Sequence, residues 1–164
     1  MRNKGIHHLG LATHNMEATL TFYEDVLGFD AKVCDLGHPE GGGTIRHAFL
    51  DMGNDELLAF MECNETVGVP NDFDAGINRG LGIKGGIIHF AFRVDDEQEL
   101  LGKRDELVGK GVDVTDVVDH GWAKSIYFRD PNQLQLEFCC LTQELSEELV
   151  KDRHSSDWLA LARP

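Results

Sequence analysis

Two histidines begin copies of the same short pattern. His8-Leu9-Gly10-Leu11 and His89-Phe90-Ala91-Phe92 each place an apolar, a small and another apolar residue after the histidine. Each copy later contains a glutamate in an apolar stretch, Glu62 at 54 residues after His8 and Glu137 at 48 residues after His89. Imidazole and carboxylate together favour Fe(II), Mn(II), Ni(II), Zn(II) or Co(II) over calcium. The repeat therefore predicts one divalent metal ion between two related modules. Its predicted ligands are His8, His89, Glu137 and Glu62.

The number of carboxylate ligands separates two kinds of chemistry. Two histidines and one carboxylate form the facial triad of non-haem Fe(II) oxygenases. A fourth ligand from Glu62 instead favours a Lewis-acid site that keeps open positions for substrate or water. In the last strand of the second copy, side chains alternate between the two faces of the sheet, so Glu137 points to the face opposite that of Leu136 and Phe138. An unpartnered charge is costly in such an apolar setting, so a metal ion is a fitting partner for Glu137.

The elements that must position these residues occur twice. Each copy is predicted to contain a strand, a helix and then three strands, which indicates an α+β chain of two tandem modules. Module one covers residues 5–63, a glycine-rich linker covers 64–86, and module two covers 87–142. Residues 1–142 are expected to form one domain, followed by a C-terminal helix and tail at 143–164.

Several element boundaries follow from local signals. Asn15 is a predicted N-cap for a helix from Met16 to Leu27, which Gly28 ends. Module two is predicted to begin with a strand over 87–94 and to contain another over 112–118. The tail is predicted to form an acidic helix with Leu145 and Leu149 on one face.

Composition excludes some partners. The net charge of −14 argues against nucleic acid, because binding phosphates needs a basic face. No apolar stretch approaches the length of a membrane span, and no signal region precedes the first strand. The four cysteines form no C-x-x-C pair, which argues against a zinc knuckle. The sequence therefore predicts a soluble, cytoplasmic protein.

These residues resemble the vicinal oxygen chelate superfamily, which includes glyoxalase I, bleomycin-resistance proteins and extradiol dioxygenases. The resemblance covers about residues 5–142. It depends on His8 with the run 22–29 in module one, and on 89–94, 127–132 and Glu137 in module two. It implies a cupped, mostly antiparallel sheet around a divalent metal that chelates two vicinal oxygens of a substrate. It also implies a homodimer, to which Leu145, Leu149 and Trp158 are expected to contribute.

Within that superfamily, module two resembles the extradiol ring-cleaving dioxygenases. The similarity runs from Val118-Asp119-His120 through Tyr127 and Asp130-Pro131 to Glu137, with Gln133 where that signature has glycine or proline. It implies that His120 hydrogen-bonds the bound intermediate and that Tyr127 hydrogen-bonds a substrate oxygen. The alternative is structural: Tyr127 packs in the sheet and His120 caps a turn.

Three functions follow from the resemblance. The first is an extradiol-type dioxygenase with Fe(II) at His8, His89 and Glu137, acting on a catechol-like molecule. The second is a glyoxalase-like lyase or epimerase, with Ni(II), Zn(II) or Co(II) at all four groups and Glu62 or Glu137 as the base for an enediolate. The third is a non-catalytic small-molecule-binding protein of the bleomycin-resistance kind. Residues 64–68 lack the acid–base histidine usual in the dioxygenases, and 12–14 lack the arginine of glutathione-dependent glyoxalases.

Overall fold

The computed structural model describes residues 5–154, with side chains described for residues 5–150. Its strands form two four-stranded sheets, ordered β1-β4-β3-β2 and β5-β8-β7-β6. In each sheet the first pair is parallel and the other pairs are antiparallel. The strands are β1 (His8–Ala12), β2 (Asp30–Gly37), β3 (Thr44–Gly53), β4 (Glu56–Asn64), β5 (Phe90–Arg93), β6 (Val118–Asp119), β7 (Ala123–Arg129) and β8 (Gln135–Leu141). The identical strand order confirms the predicted tandem βαβββ fold.

Helices connect the strands at matching places in the two modules. Helix α1 (Met16–Thr21) begins at Asn15, whose side-chain oxygen accepts from Ala18 N at 3.0 Å. It continues as a wider π-helical turn over Phe22–Val26, so the predicted single helix is present with a change of winding. Helix α2 (Ile77–Gly80) interrupts the linker, and α3 (Glu97–Gly109) lies in module two.

Residues from both modules share one apolar core. Leu58 and Phe60 of β4 belong to the same buried cluster as Leu136 and Phe138 of β8. Polar contacts join the modules as well. The hydroxyl of buried Tyr23 donates to Asp130 Oδ2 at 3.2 Å.

Each sheet therefore has a core face and an opposite face, which we call the reverse face. Strand residues alternate between the two faces with a period of two. Since Leu136 and Phe138 lie on the core face of β8, Glu137 lies on its reverse face. By the same alternation Leu58 and Phe60 place Ala59 on the reverse face of β4.

The structure corrects two predicted strands. The strand predicted over 87–94 begins only at Phe90, because the side chain of Asn78 bonds both the N–H and the carbonyl of Ile88. The strand predicted over 112–118 is reduced to Val118–Asp119. The N–H of Val112 instead bonds the carbonyl of Leu107 at the end of α3, and Thr115 is the residue of that segment whose N–H bonds the Tyr127 carbonyl of β7.

The C-terminal segment also differs from its prediction. Glu147–His154 forms a 3₁₀ helix, and Leu145 and Leu149 are 66% and 39% exposed. Trp158, the other predicted dimer contact, lies outside the described residues. Within residues 5–154, no helix has the length and apolar character needed to cross a membrane.

Candidate active site

A histidine and a buried glutamate meet on the reverse face of module two. His89 lies just before β5, and its Nε2 is 3.0 Å from Glu137 Oε2. Glu137 is only 4% exposed, and its other oxygen accepts from Ser125 Oγ at 2.5 Å. A buried carboxylate needs compensating partners. Ser125 satisfies Oε1 of Glu137, so compensation of Oε2 depends on a proton or cation at His89 Nε2.

The backbone decides which atom of His89 carries hydrogen. His89 Nδ1 is 2.9 Å from the carbonyl oxygen of Gly86, which can only accept, so Nδ1 is the N–H. In the neutral ring Nε2 is then an acceptor that faces the acceptor Oε2 of Glu137. Either a proton on Nε2 or a cation bound by both atoms removes this conflict. A backbone carbonyl on the far nitrogen is also the usual support of a metal-bound histidine.

The separation of the two atoms fits one metal ion. Ligands bound at about 2.1 Å and at right angles to each other lie about 3.0 Å apart. The Nε2–Oε2 distance of His89 and Glu137 has that value. An imidazole nitrogen with a carboxylate oxygen suits a first-row divalent metal such as Fe(II), Mn(II), Co(II), Ni(II) or Zn(II). The residues present therefore fit the predicted cofactor class.

Tyr127 and His120 extend this cluster. Tyr127 is the β7 neighbour of Glu137, and its ring meets the His89 ring edge-on at 6.1 Å between centroids. Its hydroxyl lies 3.0 Å from His120 Nε2. Burial, and secondarily the nearby Glu137 carboxylate, raise the pKa of the Tyr127 phenol. The phenol therefore keeps its proton at neutral pH and can donate it in a hydrogen bond.

Glu62 does not reach this cluster, and its predicted place beside the metal is wrong. It pairs with Arg46 across β3 and β4, and alternation puts both on the core face with Leu58 and Phe60. The Arg46 guanidinium forms an ion pair with Glu62 and another, at 2.7 Å, with Glu17 of α1. A strand cannot turn one side chain to the other face without breaking its register, so Glu62 serves a surface ion-pair group.

The residue that matches Glu137 in module one is Ala59. Glu137 pairs with Ala91, two residues after His89, and Ala59 pairs with Gly10, two residues after His8. The methyl group of Ala59 cannot bind a metal. The duplicated fold therefore provides one carboxylate ligand position, and it lies in module two.

His8 lies on the exposed edge strand of the first sheet. Its Nδ1 is 2.8 Å from His7 Nδ1, and its ring meets Phe49 at 5.7 Å between centroids. Within residues 5–154, no group of three or more His, Cys, Asp or Glu side chains has the geometry to hold a metal ion. One chain thus brings together His89, Glu137, Tyr127 and His120 but does not add His8 to them.

The fold and this face agree with the comparison to known families. The model of the Glyoxalase/Bleomycin resistance protein/Dioxygenase superfamily matches residues 5–138. The chain belongs to this superfamily. The match confirms the resemblance to vicinal oxygen chelate proteins and includes His8, His89 and Glu137.

Individual members of the superfamily show how far the similarity extends. "Putative ring-cleaving dioxygenase MhqA" of Bacillus subtilis (strain 168) is 28% identical over 134 residues, which are 82% of this chain and 39% of that protein. The chain thus spans about two fifths of the length of this curated relative.

Solved structures confirm the fold. An integron cassette protein from the mobile metagenome of the Halifax Harbour sewage outfall is 29% identical, with a TM-score of 0.60 over 85% of this chain and 100% of that one. TnmS3, an antibiotic-binding protein from Streptomyces sp. CB03234, is 18% identical, with a TM-score of 0.61 over 87% of this chain and 99% of that one. At that identity the likeness to TnmS3 shows the fold alone.

Sequence reasoning missed two groups of this candidate site. Ser125 anchors Glu137, and the Gly86 carbonyl orients His89. Ser125 is two residues before Tyr127 on the same strand, so the sequence could have predicted that both side chains lie on the same face. The Gly86 contact had none, because it depends on the path of the linker.

Proposed function

We propose that this protein is a metal-dependent dioxygenase of extradiol type that acts on a catechol-like small molecule. The observation that carries the proposal is the approach of His89 Nε2 to the buried Glu137 Oε2 at 3.0 Å, a separation that fits two ligands of one metal ion. Such a pair is stable around a bound cation. A bound Fe(II), the favoured metal, would supply chelation of two vicinal substrate oxygens and a path for electrons from the catechol, which is oxidised, to dioxygen, whose two atoms enter the ring-cleaved product.

The neighbouring residues of module two have roles that suit this chemistry. The protonated Tyr127 phenol is placed to donate a hydrogen bond to a substrate oxygen beside Glu137. His120, at 3.0 Å from that phenol, can pass a proton to or from it. Ser125 holds the second oxygen of Glu137 and so keeps that carboxylate oriented.

The absence of a carboxylate at Ala59 favours the dioxygenase over the lyase or epimerase. That alternative needs a second glutamate at the metal, either as a ligand or as the base for an enediolate. Ala59 stands at the matching register position, and Glu62 is engaged by Arg46 on the core face. A donor set of two histidines and one carboxylate corresponds to the facial triad, for which Fe(II) is the fitting metal.

The third ligand in this proposal is His8 from a second copy of the chain. His8 and His89 each belong to the edge strand of their sheet, or lie immediately beside it. A twofold pairing of two copies can bring the edge of module one in one copy to that of module two in the other. Each of the two resulting sites then contains His8 from one copy with His89 and Glu137 from its partner.

Oxygen uptake after anaerobic reconstitution tests the proposal. The purified protein is loaded with Fe(II) without oxygen, desalted, and given a panel of catechols while oxygen consumption and the absorbance of ring-cleaved products are recorded. We expect uptake that requires both iron and a catechol, and none for His89→Ala prepared in the same way. Uptake no higher than that of His89→Ala with every catechol, at confirmed iron occupancy, would falsify the dioxygenase function.

A further inference from the structure

Arg129 is a cationic side chain on a strongly acidic protein, and it lacks a partner among the residues whose side chains are described. It makes no hydrogen bond or ion pair with any residue in the range 5–150, whereas Arg46, Arg79 and Arg104 each pair with a carboxylate. The chain as a whole carries a net charge of −14. An arginine left unpaired among so many carboxylates is available to an anion from outside the protein.

Arg129 lines a cavity whose described walls carry no acidic side chain. The cavity has a volume of about 290 Å³, and its polar walls include Arg79, Arg129, Gln133 and Gln135. Arg79 is engaged by Asp74 through two contacts, which leaves Arg129 as the cation with free donors. Gln135 uses its amide hydrogen on the carbonyl of Phe128. The cavity is therefore suited to a small anionic group.

Gln133 adds an independent sign of binding. Its φ is 66°, in the left-handed region that glycine adopts without cost. A residue with a side chain is strained there, and such strain is typical of functional positions. The side chain of Gln133 lines the same cavity as Arg129 and makes no hydrogen bond in the range 5–150. The glutamine side chain carries an amide donor at this turn, which a glycine would lack.

This cavity borders the proposed metal site. Arg129 pairs with Gln135 across β7 and β8, two steps along the ladder from the pair of Tyr127 and Glu137. Alternation puts Arg129 and Tyr127 on the same reverse face. A second cavity of about 510 Å³ contains Tyr127 and shares Arg129, Gln133 and Gln135 with the first. A ligand beside Tyr127 can therefore extend to Arg129.

The linker that closes the cavity is held rigidly against His89. Asn78, which also lines the cavity, bonds both backbone groups of Ile88, the residue before His89. Gly85 approaches Arg129 so closely that a Cβ there would be 2.6 Å from a guanidinium nitrogen. The guanidinium thus lies directly beside Gly85, and a side chain at that position would displace it.

We propose that Arg129, with Gln133, binds a carboxylate group of the substrate, so that the substrate is a catechol carrying a carboxylate on its ring or on a short side chain. This deepens the proposed dioxygenase function and depends on it for the identity of the ring. The carboxylate pairs with the Arg129 guanidinium while the two hydroxyls lie beside Tyr127 and Glu137. Arg129 acts as a specificity-determining residue and takes no part in the chemical step.

Binding to the metal-free protein tests the carboxylate subsite apart from activity. Calorimetry or NMR titration compares benzoate, catechol and 3,4-dihydroxybenzoate on the wild type, Arg129→Gln and the charge-matched control Lys32→Gln in module one. We expect Arg129→Gln to weaken binding of both carboxylates by about tenfold or more while leaving catechol binding unchanged, because one charge-assisted pair is lost. Lys32→Gln is expected to behave as the wild type. Equal carboxylate binding by wild type and Arg129→Gln would overturn the proposal.

Steady-state kinetics distinguishes failure of the subsite from failure of the dioxygenase function. For the iron-loaded protein we expect Arg129→Gln to raise KM for 3,4-dihydroxybenzoate and to leave kcat/KM for catechol within about twofold, since uniform binding affects KM alone. Gly85→Ala, which displaces the guanidinium, is expected to change KM in the same direction. If Arg129→Gln loses carboxylate binding but no preparation consumes oxygen, the carboxylate subsite is supported and the dioxygenase function is rejected. If the wild type has the same kcat/KM for catechol as for 3,4-dihydroxybenzoate, the carboxylate subsite is rejected.

Discussion

The two modules share one backbone plan but carry different chemistry at matching positions of the reverse face. Register places Phe49 of module one where module two has Tyr127, because Phe49 pairs with Ala59 as Tyr127 pairs with Glu137. Both modules keep an aromatic ring edge-on to their first histidine, at 5.7 Å in module one and 6.1 Å in module two. Only module two adds the phenol and the carboxylate.

The difference shows how duplication separates scaffold from site. The apolar core residues must be present in both modules, since each sheet has to bury its core face. The reverse face carries no such demand, so one copy can lose a carboxylate to alanine and a phenol to phenylalanine without losing the fold. Among the described residues, the cluster of histidine, carboxylate and phenol therefore lies in module two.

The largest expected effect separates Glu137 from Glu62. Glu137→Gln removes a carboxylate ligand, so we expect metal retention to fall by about 100-fold or more, as loss of even a supporting group costs 10–100-fold. Glu62→Gln, the same change on the core face of module one, is expected to retain metal at the wild-type level. Elemental analysis after dialysis against dilute chelator measures both. Metal loss in Glu62→Gln as large as in Glu137→Gln would show that the modules act symmetrically.

The second comparison tests whether the modules cooperate between copies. His8→Ala and His89→Ala are each expected to be inactive, because each removes one ligand from every site. When the two variants are co-expressed with different tags and the mixed dimer is isolated, one intact site should form per dimer. Its oxygen uptake should reach about half that of the wild type, by counting sites in a twofold assembly. A mixed dimer as inactive as its parents would place His8 and His89 of one site in the same chain.

The third comparison removes the Tyr127 hydroxyl, so that module two carries a phenylalanine where module one has Phe49. Tyr127→Phe removes the phenol while keeping the ring against His89. We expect turnover to fall by about 10–100-fold, in the lower range for the loss of a positioned proton donor. Metal content should be unchanged, because Tyr127 is not a ligand. Metal content and stopped-flow turnover on the same preparation separate these effects, and a parallel fall in both would argue that Tyr127 holds the metal site together.

The smallest expected effect concerns the contact that joins the modules. Tyr23→Phe leaves buried Asp130 without one of its donors, and such a loss costs about 1–2 kcal/mol. Urea denaturation should show a lower free energy of unfolding with one cooperative transition, as expected if both modules share the core. Phe22→Leu, at the partly buried neighbouring position, is the control for general loss of packing. Two separate transitions in the wild type would show that the modules unfold independently.

The sequence predicted most of the fold because its signals are local and repeated. The N-cap at Asn15 and the apolar alternation around Glu137 in β8 each act within a few residues, and the structure contains both. Strand 87–94 was predicted too long because its ladder is interrupted by Asn78, ten residues away in the linker. Side-chain bonds of that kind leave no periodic trace in the sequence.

The sequence was less reliable for the site because linear spacing does not report which face a residue occupies. Glu62 corresponds to Glu137 by its similar sequence separation from the histidine of its own copy. However, Glu62 lies on the same sheet face as the buried Phe60, whereas Glu137 lies on the face opposite that of the buried Phe138. Comparing each glutamate with its buried neighbours would have separated the two. The pairing of Ala59 with Gly10 needed the strand register itself.

By itself the sequence determined the tandem fold, the superfamily and a reverse face of module two that carries His89, Tyr127 and Glu137, because these follow from periodicity and local motifs. Tertiary structure decided the asymmetry between the modules. It assigned Glu62 to an ion pair with Arg46, set Nδ1 of His89 against the Gly86 carbonyl, and placed Arg129 in the wall of a cavity. Each of these depends on register or on the path of the linker, which form only when the strands pair.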